Sequence, residues 1–203
     1  SAEGFAASMS ELGIGAHDTV VAYDDAGGTV AARLVWMLRV LGVDAALLDG
    51  GIAAYDGPLE TDPVERPPAD FPVHAWPVER LADIDAAVAG PLVVDARAGE
   101  RFRGEVEPID PRPGHIPGAR SLPTAGHVGA DGRFLPVDEL RQRFAVVGVD
   151  SPNAEVIAYC GSGVNATHTL LALEHAGLGN GRLYAGSWSQ YSATDRPAAL
   201  GDS

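Results

Sequence analysis

Residues 156–178 read VIAYCGSGVNATHTLLALEHAGL, and residues 20–43 read VVAYDDAGGTVAARLVWMLRVLGV. At an offset of 136, Val20 meets Val156, Ala22 meets Ala158, Tyr23 meets Tyr159, Gly27 meets Gly163 and Leu34 meets Leu170. At an offset of 135, Gly13 meets Gly148, Gly42 meets Gly177, Leu48 meets Leu183 and Gly51 meets Gly186. Each copy reads as a short apolar strand, a small-residue loop, an amphipathic helix, a Gly stop, a second short strand and a Gly-rich turn. Short apolar strands that alternate with helices predict an α/β fold, a parallel sheet with helices on both faces. Strands are expected near 92–95, 156–159 and 182–184, and helices near 137–145 and 164–176.

The repeat also sets the expected domain organisation. PLVVDAR (91–97) reads as the first strand of the later unit, and its counterpart 136 positions earlier would lie before Ser1. Residues 1–57 are therefore expected to be the rear half of a unit whose opening half is not in this chain. DGPLETDPVERPPADFP (56–72) carries five prolines and no helical period, so residues 58–76 read as an extended linker. Residues 77–203 read as the second unit, with both halves present.

Composition bounds the function. With 203 residues and 46% hydrophobic content, the chain can bury a core. Its one cysteine allows no internal disulfide, which fits a reducing compartment. No apolar run approaches the roughly 18 residues that span a bilayer. The opening SAEGFAASMSELG lacks the basic and apolar regions of a signal peptide. A cytoplasmic setting, with no membrane partner, is expected. The net charge is −14, and all 14 basic residues are Arg. Nucleic-acid binders show a basic footprint, so nucleic acid is set aside. An acidic chain repels anions at long range, so any anion site must be made locally, by an Arg or by backbone N–H groups.

Cys160 follows the strand VIAY, and Gly161 to Ala166 are small. In parallel α/β sheets, ligands bind beyond the carboxyl ends of strands. A small-residue loop there turns successive N–H groups inward, and the helix that follows adds its positive end. A thiol in such a nest is held as thiolate. Gly161 and Gly163 also clear the approach to sulfur. The competing reading is a buried thiol acting as a small hydrophobe.

Three stretches together, YCGSGVNA (159–166), RFRGEVEPIDPRPGHIPGA (101–119) and LYAGSWSQYS (183–192), resemble the tandem-domain rhodanese sulfurtransferases. The resemblance covers essentially the whole chain. It implies a rhodanese-like fold with two homologous domains, the first incomplete here and inactive, with Asp24 where an active domain has cysteine. It implies sulfur transfer from 3-mercaptopyruvate or thiosulfate through a persulfide on Cys160, then delivery to a thiol or cyanide. The loop of Gly161, Ser162, Gly163, Val164 and Asn165 would bind the donor and the persulfide. Neutral Gly161 and Ser162 favour mercaptopyruvate, because a thiosulfate dianion gains from nearby cations. Arg101 matches the arginine that holds the donor's anionic group. Arg112 stands near a second such arginine, out of register with it. Ser162 would orient the donor or relay a proton. The family's His and Asp partners for it would lie before Ser1. Gln190 and Asn165 depart from the commoner Glu and Thr. No cofactor and no metal are implied.

Two other readings compete. A cysteine phosphatase needs an Arg six positions after its cysteine, and that position is Ala166. A non-catalytic regulatory or binding module needs no nucleophile, as Asp24 illustrates in the first repeat. His115 is expected to brace its loop. His168 and His175, seven apart on one helix, are expected to pack rather than to bind metal. Asp95 is expected to hold Arg97 or a turn, and Trp188 and Tyr191 to pack after the last strand.

Overall fold

The computed structural model describes residues 1–202. After helix α1 (Ala2–Glu11), strand β1 (Val20–Ala22), helix α2 (Ala31–Val40) and strand β2 (Ala45–Leu47) form the first unit. The second unit runs β3 (Leu81–Ala82), α3 (Ile84–Ala89), β4 (Leu92–Asp95), α4 (Gly99–Phe102), β5 (Arg120–Ser121), α5 (Val137–Val146), β6 (Val156–Tyr159), α6 (Asn165–His175), β7 (Arg182–Tyr184) and α7 (Ser187–Ser192). β1 and β2 pair in parallel, and the other five strands form a parallel sheet in the order β3-β7-β6-β4-β5. The predicted strands and helices of the second unit coincide with β4, β6, β7, α5 and α6. The repeat is equally visible in space, since β1–α2–β2 follows the order of β6–α6–β7.

All four residues of β4 and of β6 are buried, which is why they read as apolar runs rather than as alternating patterns. Their side chains still alternate between two cores. Leu92, Val94, Val156 and Ala158 point to a core that contains α2, α5 and α6 residues. Val93, Ile157 and Tyr159 point to a second core with Phe102, Trp188 and Tyr191 from α4 and α7. Helices therefore cover both faces. α6 lies between the sheet and α2, so its residues from Ala166 to Leu173 are all buried. An apolar surface on every side is what a sandwiched helix requires.

The first unit is not separate from the second. Ala32, Val35, Trp36 and Leu38 of α2 share one core with Leu170, Leu171 and Leu173 of α6. β1 carries an exposed side, with Val21 at 54% and Tyr23, just past its end, at 55%. Residues 58–76 contain no helix or strand, as their prolines dictate. Their far end is nonetheless anchored: Phe71 is buried edge-on against Phe5, and its N–H donates to Ser10 Oγ at 3.1 Å. Among the described residues no helix is long and apolar enough to cross a membrane.

Two buried imidazoles lie under this junction. His168 Nε2 donates to the Gly27 carbonyl at 3.1 Å, so that nitrogen carries the hydrogen. His127 stacks on Phe144 and lies 6.1 Å from the His168 ring, and neither of its nitrogens has a partner among the described residues. Burial pushes His127 down to about 3, and His168 and Arg143 add to the effect. Burial also pushes His168 down to about 4, against the opposing pull of the Gly27 carbonyl, Asp24 and Asp49. Unfolded histidine takes its proton near pH 6.5 while these folded rings stay neutral, so their stabilisation is complete above about pH 6.5 and is lost as pH falls below it. Between pH 7 and pH 5 the loss is expected to be about 2 kcal/mol per ring. Urea unfolding at the two pH values checks this, and His127→Phe should remove about half of the difference.

Candidate active site

β6 delivers Cys160 to the carboxyl end of the sheet, and the backbone there is held from α7. The Cys160 N–H donates to Ser187 Oγ at 3.1 Å, the Cys160 carbonyl accepts from the Trp188 N–H at 3.0 Å, and the Gly161 carbonyl accepts from the Ser189 N–H at 2.9 Å. Ser187 itself has a φ of +53°, the one left-handed non-glycine among the described residues, and its hydroxyl donates to the Tyr184 carbonyl. Such a conformation costs on the order of 1–3 kcal/mol and persists where its surroundings hold it. Here it places the Oγ between two backbone groups.

The loop that follows leaves its amides free. The N–H groups of residues 161–166 have no acceptor among the described residues, while the Gly163 carbonyl is turned outward onto Arg33. Gly163 has a φ of +76°, and a Cβ there would fall 2.7 Å from the Ala185 carbonyl oxygen, so the turn needs glycine. The first unit shows what such a loop binds. Asp24 Oδ1 accepts from the N–H groups of Ala26 and Gly28 at 2.8 and 2.7 Å, and Oδ2 from those of Val30 and Ala31 at 2.9 and 2.8 Å. Burial alone raises the Asp24 carboxyl, but the four amides outweigh it and hold it below the usual carboxylate range. The offset of 136 carries Ala26, Gly28 and Val30 onto Ser162, Val164 and Ala166. In one copy the amides embrace a resident anion; in the other the corresponding amides stand free on the loop that follows the thiol.

Cys160 is 2% exposed and touches the α6 core, yet it also lines a cavity of about 370 Å³. Arg97, Arg101, Gly161, Ser162 and Asn165 share that wall. Gly163 and Val164 do not. Arg101 stands beside Gly161, with Nη1 3.6 Å from where a Cβ would be. Its Nη2 donates to Glu107 at 2.6 Å and to Asp110 at 3.1 Å, while its buried Nε has no partner. Burial raises the Glu107 carboxyl, but Arg101 and the amides of Asp110 and Ile109 bring it below the usual range. Arg97 is buried beneath. It bonds Asp95, Glu107 and the Gly114 carbonyl, and lies over the Trp188 ring at 4.8 Å. Burial works against the Arg97 charge, and Asp95, Tyr159 and Glu107 together more than offset this. His115 is also bracing: its Nδ1 meets the Phe102 carbonyl at 2.8 Å and its ring stacks on Phe102.

Arg112 does not line the cavity. Its guanidinium donates to the carbonyls of Tyr191, Ser192 and Arg196, where it satisfies backbone groups at the C-terminal end of α7. The shift of register noted in EPIDPRPG has this consequence. The residues missed by sequence reading are Ser187, Asp110, Ser189 and Arg33. The first three lie within the quoted motifs but carry no chemical signature of their own. Among the described residues no group of three or more His, Cys, Asp or Glu is placed to hold a metal ion.

The class is now defined on both fold and site. The model of the rhodanese-like domain family matches residues 78–194, more than half of the chain, and the chain belongs to that family. Its relatives are sulfurtransferases, and the chain is an enzyme of that class. A protein of Pseudomonas aeruginosa named "Probable 3-mercaptopyruvate sulfurtransferase" is 46% identical over 97% of this chain and 73% of its own length. A protein of Mycobacterium tuberculosis, 36% identical over 96% of this chain and 72% of its own length, carries the name of a thiosulfate sulfurtransferase, SseB. The crystal structure of the 3-mercaptopyruvate sulfurtransferase SseA from Escherichia coli superposes with a TM-score of 0.78 at 36% identity, covering 93% of this chain and 74% of that one.

Proposed function

We propose that this chain moves a sulfane sulfur from 3-mercaptopyruvate, through a persulfide on Cys160, to a thiol or cyanide acceptor. The observation that carries the reading is the set of unpaired amides on the loop that follows a lone cysteine, matched by the amides that hold the Asp24 carboxylate. The Cys160 thiolate attacks the donor sulfur and the C–S bond breaks. Its electron pair goes to the carbon, which leaves as the enolate of pyruvate and takes a proton. With thiosulfate the S–S bond breaks and sulfite leaves. An acceptor thiolate then attacks the outer sulfur and Cys160 departs as thiolate. Amide N–H groups stabilise charge on the sulfur in both halves of the cycle.

The charges around the cavity favour the monoanionic donor. Two guanidinium groups, Arg97 and Arg101, face three carboxylates, Asp95, Glu107 and Asp110, so the wall has no cationic surplus for a dianion. Arg101 is proposed to hold the donor carboxylate, with Ser162 and Asn165 at the rim. Arg101→Met is expected to raise KM for 3-mercaptopyruvate about tenfold to a hundredfold, the value of one hydrogen bond to a charged group. Steady-state kinetics decides it, and an unchanged KM would count against this role. Ala166, which is buried, stands where a cysteine phosphatase needs its Arg, so phosphate has no matching cation there.

The proposed organisation is residues 1–57 as the rear half of an inactive rhodanese-like unit, 58–76 as linker and 77–203 as the catalytic unit. The proposed setting is the cytoplasm, where a catalytic thiol stays reduced. Mass spectrometry after incubation with each donor tests the whole reading. Addition of one sulfur by mercaptopyruvate, and less by thiosulfate, is expected. No addition from either donor would turn the reading toward a binding module.

A further inference from the structure

α2 belongs to the first unit, yet one of its side chains ends at the sulfur loop. Arg33 Nη1 donates to the Gly163 carbonyl at 2.7 Å, across 130 residues of sequence. Gly163 is the left-handed residue of that loop, so a donor on its carbonyl fixes the orientation of the peptide and with it the amides on either side. Arg33 is half-buried and takes part in none of the ion pairs found among the described residues. A half-buried guanidinium without a carboxylate needs another acceptor, and the Gly163 carbonyl is the one it has. Burial pushes the Arg33 pKa down.

We infer that Arg33 is a positioning residue for sulfur transfer: from the neighbouring unit it locks the Gly163 peptide and so fixes the free amides of the loop that follows Cys160. The inference rests on the sulfurtransferase reading of Cys160. It also gives the first unit a part in the chemistry. Asp24 fills that unit's own anion nest, while its helix contributes a cation to the second nest.

The test uses the full chain with Arg33→Met, Arg33→Gln and Arg33→Lys. Two readouts are followed: the pH profile of Cys160 alkylation by iodoacetamide, and kcat and KM with 3-mercaptopyruvate. Both neutral variants should move the alkylation profile up by about one unit, which is about tenfold slower alkylation below the midpoint. They should lower kcat about tenfold and leave KM within about threefold, because the donor is not touched. Arg33→Lys should restore most of the alkylation profile, since it keeps a charged donor for the Gly163 carbonyl. A folded Met or Gln variant whose alkylation profile stays in place overturns the inference, even if its melting temperature falls. Should Arg33→Met not fold, Arg33→Gln, which retains a donor for the carbonyl, is measured in its place. Alkylation needs no sulfur donor. Failure of sulfur uptake in the parent chain would sink the enzymatic reading and leave this result to stand or fall by itself.

Discussion

Cys160→Ser protein takes up no sulfur from either donor, and its turnover falls by on the order of 10⁴-fold or more. A serine hydroxyl stays protonated near neutral pH and forms no persulfide, so the amide nest has no anion to hold. The fold should survive the change. Cys160 is held through its N–H and carbonyl, by Ser187 and Trp188, and serine keeps both groups. Mass spectrometry of the parent and variant chains, each incubated with 3-mercaptopyruvate, reads the outcome directly. A sulfur found on the serine variant would place the nucleophile elsewhere, although the chain has no second cysteine to supply it. Circular dichroism and urea unfolding of the same sample confirm that the loss is chemical.

Arg97→Met should be the most destabilising single change near the cavity. Arg97 and Asp95 are both buried, with side chains 2% and 0% exposed. Three of the Arg97 partners are lost together: the Asp95 carboxylate, the Glu107 carboxylate and the Gly114 carbonyl. Removing one member of a buried pair leaves the other charge unpaired and costs about 3–5 kcal/mol. For a chain of this size that is a drop of roughly 10 °C in melting temperature. Adding Asp95→Asn to the variant should recover part of the loss, since the stranded carboxylate is then gone. A single variant that melts where the parent does would mean that water replaces the guanidinium in this network.

These expectations show unequal legibility. β4 and β6 could be read because a strand buried on both faces is a continuous apolar run, and LVVD and VIAY are such runs. α6 could be read because its length and its Gly stop are local features. β3 and β5 could not: each is two residues long, too short for any period, and exists only through pairing with β7 and β4. α4 and α7 are single short turns fixed by tertiary packing, and Ser187 adopts its left-handed backbone inside a turn that propensity would not predict. The linker's prolines announced an extended segment, but nothing local to them announced that Phe71 would dock on α1.

The site divides in the same way. Sequence alone determined that a parallel α/β sheet would form, that its lone thiol would follow a buried strand, and that the small-residue loop after it would leave its amides free. Each of these depends on neighbours within a dozen residues, and repetition of the pattern around Asp24 supported it. Tertiary structure alone decided which arginines stand at the loop that follows Cys160. Arg112 was drawn 80 residues away to the carbonyls that end α7, and Arg33 was brought 130 residues to the Gly163 carbonyl. A guanidinium reaches several ångströms and accepts any carbonyl or anion that packing presents, so its role is settled by the folded neighbourhood and not by its place in the chain.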